Sequence, residues 1–252
     1  TVLRINPLIN DGDQKISGSE IFLQYEEEEL KEIYIPEKAQ AQTLSSGIRE
    51  TINVIDGDST MSQEPLSFSD DMTGSILRGF FKDGELDSVR LEGMATTLYH
   101  IFEDSIYQGS NRASGDTIVL KFGEDDLESI FISGGSEGTY TPDSLGSDID
   151  GKVVYQSDKI KYNMQDESTD LLGEANIDYT DMNLKAGFIN VAWRSNLLKA
   201  LPSSDKDSTI TPFRPTMIEE GNEPMVGDTM IYNLDSQNGK VIRGKTKADD
   251  GY

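Results

Sequence analysis

The stretch Gly115-Asp116-Thr117-Ile118-Val119-Leu120-Lys121-Phe122, followed across an acidic turn by Leu127-Glu128-Ser129-Ile130-Phe131-Ile132, decides the reading of the fold. Side chains alternate between the two faces of an extended chain, so Ile118, Leu120 and Phe122 share one face. The same phrase recurs along the sequence: a small or acidic start, an alternating run, a polar turn and a second run. It is found at Gly18-Ser19-Glu20-Ile21 leading to Leu30–Ile35, and at Thr73-Gly74-Ser75-Ile76 leading through Asp83-Gly84 to Leu91. It returns at Ser157-Asp158-Lys159-Ile160, and finally at Gly227-Asp228-Thr229-Met230 with the turn Asn238-Gly239. Ile76, Ile118 and Ile160 are 42 residues apart. A hairpin of this size cannot bury its apolar face alone, so successive copies must stack on one another.

Working outward from that phrase, nearly everything reads as short strands. Ile160, Tyr162 and Met164 face one way, and Ala175, Ile177 and Tyr179 repeat the pattern. Leu184, Ala186 and Phe188 follow, then Ile189, Val191 and Trp193, and the change of phase near Phe188 and Ile189 predicts a bulge or bend. Glu26–Glu29 reads as a charged hairpin turn between two alternating runs. Three stretches read as loops: 45–71, rich in Ser, Asp and Glu; 140–152, with Pro142, Gly146 and Gly151; and 201–223, with Pro202, Pro212 and Pro215. The 252 residues read as a single β-domain over 1–252, with a two-lobe division at 1–92 and 93–252 as a variant.

The composition excludes several functions. Net charge is −24, from 46 acidic and 22 basic residues, which is the wrong sign for binding nucleic acid. It also argues against adhesion to a bare anionic membrane. No run approaches the ~18 apolar residues of a membrane helix. The start at Thr1-Val2-Leu3-Arg4-Ile5 resembles the end of an earlier strand, so a segment of a longer protein is expected. With no cysteine there are no disulfides, thiolate metal sites or cysteine nucleophiles.

The single histidine, His100, lies in a strand-like run without a Gly-x-Ser-x-Gly elbow, so a structural or surface role is expected. Carboxylate pairs such as Asp70-Asp71, Asp125-Asp126 and Asp249-Asp250 are too abundant to single out a glycosidase. Calcium is conceivable at Asp56/Asp58 or at Asp143/Asp148/Asp150, but neither set matches an EF-hand loop. Gly134-Gly135-Ser136-Glu137-Gly138 opens no helix, so it does not read as a phosphate cradle. No catalytic residue, metal or cofactor is expected.

Three phrases carry a resemblance to a known family: Val153-Val154-Tyr155-Gln156-Ser157-Asp158-Lys159-Ile160-Lys161-Tyr162-Asn163, Leu172-Gly173-Glu174-Ala175-Asn176-Ile177-Asp178-Tyr179, and Leu184–Trp193. They resemble the OstA-type repeat of lipopolysaccharide-transport proteins. Together with Met94–Ser105, Tyr107–Asp116 and Pro224–Asn233, they are similar to the periplasmic part of LptD-like proteins of the Bacteroidota type. The resemblance covers most of the chain and is strongest over 72–252, and nothing in the chain resembles the family's transmembrane barrel.

The resemblance implies an all-β fold of stacked antiparallel hairpins, a V-shaped β-jellyroll or solenoid. It implies a periplasmic, outer-membrane-associated and non-enzymatic carrier of lipopolysaccharide. LptA-like and LptC-like proteins are the implied partners through edge strands, with the chain's own or a separate outer-membrane β-barrel as a further one. The inward residues Ile118, Leu120, Phe122, Ile160, Tyr162, Met164, Ile177, Tyr179, Met230, Tyr232 and Leu234 are then expected to line an apolar trough for acyl chains. Two other readings stand beside it, a purely structural β-solenoid spacer or adhesin segment and a carbohydrate-binding module.

Overall fold

Strand follows strand with short polar turns between them, as the alternating runs require. In the computed structural model, which describes residues 1–55, 58–123, 127–203 and 213–245, the chain is almost entirely β-strand. The strands are β1 (Val2–Arg4), β2 (Leu8–Asp11), β3 (Gln14–Ser17), β4 (Glu20–Glu26), β5 (Glu29–Ile35), β6 (Ala39–Ile55) and β7 (Asp58–Gly74). They continue as β8 (Ile76–Lys82), β9 (Glu85–Glu103), β10 (Ile106–Phe122), β11 (Leu127–Pro142), β12 (Val153–Asn163), β13 (Ser168–Tyr179) and β14 (Met182–Ala192). The last are β15 (Leu197–Leu201), β16 (Thr216–Glu219), β17 (Met225–Val226), β18 (Thr229–Asn233) and β19 (Asn238–Ile242). One 3-10 turn, Trp193–Ser195, is the sole helical element among the described residues, where no helix is long and apolar enough to cross a membrane.

The sheet is folded into two facing walls. Each of β9 to β14 changes register near its middle and passes from one wall to the other. The first wall runs β1, β4, β5, β8, then one half of each of β9 to β14, then β15, β18 and β19. The second runs β2, β3, β6, β7, the other halves of β9 to β14, then β16 and β17. Apart from one bridge between Ile106 and Ile48, every pairing among the described residues is antiparallel.

The small or acidic residues that begin each sequence phrase form the crease. Asp116 of β10 lies against Gly134 of β11, and Asp158 of β12 lies against Gly173 of β13. Gly134 and Gly173 hold φ of +81° and +77°, a region that costs an L side chain strain. A Cβ on Gly134 would also come within 2.5 Å of the Asp116 carboxylate, so the tight corner excludes a side chain.

Inside the crease, like residues line up across strands. On the first wall Ile35, Leu77, Leu91, Ile118, Ile132, Ile160, Leu171, Ile189, Ala200 and Met230 stand side by side. All ten are buried, each large one contributing roughly 1.5–3 kcal/mol. On the second wall the matching row is Ala41, Met72, Thr97, Ala113, Gly138, Tyr155, Ile177, Leu184 and Met217. Small residues there leave room for the branched row opposite.

Several sequence expectations are corrected. The stretch 45–71 is not a loop but most of the long hairpin β6–β7, paired from Ala39–Gly74 outward. Much of the arm has no wall behind it, so Leu44, Ile52 and Met61 stand exposed on it, and polar pairs such as Thr51–Ser62 and Gln42–Asp71 join its strands. Ile76 does not share the phase of Ile118 and Ile160. It pairs with Glu92 on the outer face, and Leu77 takes the inward position. The bend expected near Phe188 and Ile189 is present, at Gly187, and with it Phe188 leaves the inward row and pairs with the part-exposed Leu172. Trp193 begins the 3-10 turn instead of continuing the strand. Strand β11 extends to Pro142 into the expected loop over 140–152, and β16 and the start of the turn after it occupy part of 201–223. Asp56, Asp125, Asp126, Pro212, Asp249 and Asp250, and the side chain of Asp58, lie outside the described residues.

Candidate functional site

The strands turn at the side away from the crease, and between those tips the two walls part. A cavity of about 610 Å³ opens there. Wall two supplies the β9–β10 tip (Ile101, Phe102, Glu103, Asp104), Gln108, Tyr140 and the loop Ser147–Ile149. Wall one supplies the end of β12 (Tyr162, Asn163, Met164), the start of β13 (Glu167, Ser168, Thr169) and the 3-10 turn with Trp193, Arg194 and Asn196.

Hydrogen bonds fix the aromatic residues in place. Tyr140 Oη donates to the Gln108 carbonyl at 2.9 Å and lies 3.1 Å from Ser147 Oγ. Trp193 Nε1 donates to Thr169 Oγ1 at 2.7 Å. The Tyr140 and Trp193 rings meet at 5.4 Å between centroids, inclined by 50°. The floor is polar at one point: the Tyr155 and Tyr162 hydroxyls meet at 2.6 Å, and Tyr155 Oη donates to Asn111 Oδ1 at 2.7 Å. Burial pushes the Tyr155 hydroxyl up to about 12, and burial followed by the neighbouring Tyr155 pushes Tyr162 well above the usual phenol value.

Charge at the rim is mostly negative. Glu103, Asp104, Asp148 and Glu167 line the cavity with a single guanidinium, Arg194. Arg194 is held by Glu167 through two hydrogen bonds, Nε to Oε2 at 3.1 Å and Nη2 to Oε1 at 2.5 Å. That bond, then the charges of Glu167 and Glu103, raises the Arg194 pKa further.

The β6–β7 arm lies across the outside of this tip. Phe68 stacks on His100 at 4.1 Å and meets Tyr107 at 4.9 Å. Arg49 Nη2 donates to Asp143 Oδ1 at 2.5 Å, a carboxylate only 1% exposed that also accepts from the Leu145 and Gly146 amides. Asp143 therefore anchors the arm to the loop after β11. His100 packs against Phe68 and pairs with Asp70. Its Nδ1 lies 2.7 Å from Asp70 Oδ1, while Ser45 bonds to the other Asp70 oxygen and not to the imidazole. A nucleophilic triad needs the serine on the imidazole.

Of the residues expected to line a trough, Tyr162 and Met164 do border the cavity. Ile118, Leu120, Ile160, Ile177, Tyr179, Met230, Tyr232 and Leu234 are buried deeper between the walls, and Phe122 is half-buried at the end of β10. The sequence reading passed over Tyr140, Ile101 and Phe102 as part of the cavity. Their position at strand ends, next to turns, was the available signal. The lining residues converge from five strands, β9 to β13, and from the loop and turns beside them, and period-2 alternation cannot bring those together.

Fold and site define a two-walled, all-β protein with an apolar interior and an open, acid-rimmed mouth. No protein-family model and no curated protein matches the sequence. Among solved structures the chain is similar to LptH from Pseudomonas aeruginosa, described as the LptA-homologous periplasmic component of its lipopolysaccharide transport device. The likeness spans 60% of this chain and 94% of that one, at 14% identity and a TM-score of 0.46.

Proposed function

We propose that the protein is a non-enzymatic carrier that takes lipid acyl chains between its walls, acting as a periplasmic lipopolysaccharide-transport module toward the outer membrane. One observation carries this reading: an inward face that is apolar across nearly every strand ends at a cavity open to solvent. Ile118, Leu120, Ile160 and Ile177 form the path beyond that mouth, and acyl chains enter it by parting the walls. Among the described residues, β1 and β2 at one end and β19 at the other each keep a free strand edge, and these serve for edge-to-edge pairing with neighbouring modules.

A structural spacer is the second reading, favoured by the full burial of Ile118, Ile132, Ile160, Leu171 and Ile189. Binding of a fluorescent acyl probe separates the two. A carrier binds the probe saturably and loses it on Met164→Arg, which puts a charge in the mouth. A spacer shows no saturable binding in the folded parent protein.

A further inference from the structure

We propose that the protein holds an acyl chain in the N-terminal half of its interior, laid across the strands along a half-open apolar strip, and that three aromatic clasps bar it from the C-terminal half. The proposal rests on the carrier reading and specifies where along the walls the chain binds.

The strip lies on the inner face of the first wall, beside the strand tips. Leu23 of β4, Leu30 of β5, Phe81 of β8, Leu86 of β9, Phe122 of β10 and Leu127 of β11 pack against the core, yet each is only half-buried. These are six successive strands of the wall, so the strip is roughly 24 Å long, the scale of an extended acyl chain. Beyond β11 it runs on to Met164 of the mouth, whose amide donates to the Glu128 carbonyl at 3.0 Å.

The two halves differ in how the walls are joined. Tyr155 and Tyr162 meet through their hydroxyls, the Tyr140 and Trp193 rings touch, and Tyr179 Oη donates to the Leu234 carbonyl at 2.9 Å. Each contact has one partner on each wall, and all lie on or beside β11 to β18. Away from the crease, no side-chain hydrogen bond, salt bridge or ring contact among the described residues joins the walls over β1 to β9. Parting of the walls is therefore opposed by apolar packing alone at the N-terminal half and by three further contacts at the other. Ile118 and Leu120 are reached first, and Ile160 and Ile177 only once the clasps release.

The occupant is a hydrocarbon chain and not a peptide. Each strand from β4 to β11 pairs with a neighbour on both sides, so the strip offers no free backbone edge. A peptide lying across it would bury amides and carbonyls without partners, whereas an acyl chain has none to satisfy.

The test uses the full chain and a monoacylglycerol with a photoreactive diazirine at mid-chain, whose head is uncharged. Trp193, the only tryptophan, stands in the mouth and reports binding by fluorescence, and mass spectrometry maps the adducts. Adducts are expected within 20–35, 76–92 and 117–133 and not in β13 to β15. Phe122→Arg puts a charge in the strip and should weaken binding about tenfold. Val119→Arg puts the same charge on the outer face of β10 and should leave the affinity unchanged. Tyr162→Phe/Tyr179→Phe loosens two clasps and should spread the adducts into β13 to β15. Circular dichroism verifies that each variant is folded.

Parent adducts as frequent in β13 to β15 as in the strip overturn the placement and leave the carrier reading standing. So does equal affinity of Phe122→Arg and Val119→Arg. A double variant with the parent's adduct map overturns the role of the clasps. Absence of saturable binding to the folded parent overturns both the strip and the carrier reading.

Discussion

The hydroxyls of Tyr155 and Tyr162 meet at 2.6 Å across the gap between the two walls. Tyr155 stands on the first half of β12 and Tyr162 on the second, so a single strand folded at Asp158 supplies both sides of the contact. The Tyr155 ring fits only because Gly138 opposite it has no side chain. Tyr162 borders the mouth, and the pair joins the walls by a polar bond inside an apolar interior.

That arrangement makes the two hydroxyls unequal. Tyr162→Phe removes one partner of Tyr155, which keeps its bond to Asn111, and should cost about 1 kcal/mol. Tyr155→Phe leaves Asn111 Oδ1 and the Tyr162 hydroxyl both buried without it, and should cost about 2–3 kcal/mol. Urea denaturation of the two variants and of the double variant measures the order.

The same burial sets an alkaline limit. The Tyr155 phenol ionises near pH 10 in the unfolded chain and at about 12 in the folded one. Its contribution is fully present below pH 10. It falls as pH rises through 12, because the unfolded chain gives up its proton first. Stability should therefore drop between pH 10 and pH 12, more steeply than in Tyr155→Phe, as read from urea midpoints at stepped pH.

Gly173 should tolerate a side chain far less than Gly12. Both have positive φ, +77° and +54°, but a Cβ on Gly173 runs into the Asp158 carboxylate while one on Gly12 meets nothing within 4 Å. Gly12→Ala should cost about 1 kcal/mol and Gly173→Ala about 2–4 kcal/mol. Thermal denaturation of the pair tests the corner itself.

Arg49→Ala should loosen the arm. It leaves the buried Asp143 carboxylate with backbone amides alone, and Arg49 is itself 45% exposed, so a loss of about 1–2 kcal/mol is expected. The Ile48 amide, which donates to the Ser105 carbonyl at 2.8 Å, should exchange its hydrogen faster while the Ile160 amide does not change.

Much of this architecture was legible in the sequence because period-2 alternation needs no tertiary context. Ile118, Ile160, Ile177 and Met230 face inward as read. The small and acidic residues before each run were visible too, but their role as a crease was not, since Asp116 meets Gly134 only after two strands pair. Ile76 misled because its neighbour Leu77 is equally apolar, and the crease at Gly74-Ser75, not hydrophobicity, decides which of them turns inward. The β6–β7 arm was missed because its apolar residues, among them Leu44, Ile52 and Met61, are spread thinly through a polar run and stay exposed. The mouth was missed for a related reason: Tyr140, Trp193 and Phe102 come together only through the geometry of strand tips.

Site-specific photocrosslinking in cells that make lipopolysaccharide tests the carrier role most directly, with a probe residue in turn at positions 164 and 120 and at their outward neighbours 161 and 121. Lipid adducts at 164 and 120, and none at 161 and 121, are expected if acyl chains pass between the walls. A folded protein that gives adducts at none of the four, or only at 161 and 121, contradicts the carrier role.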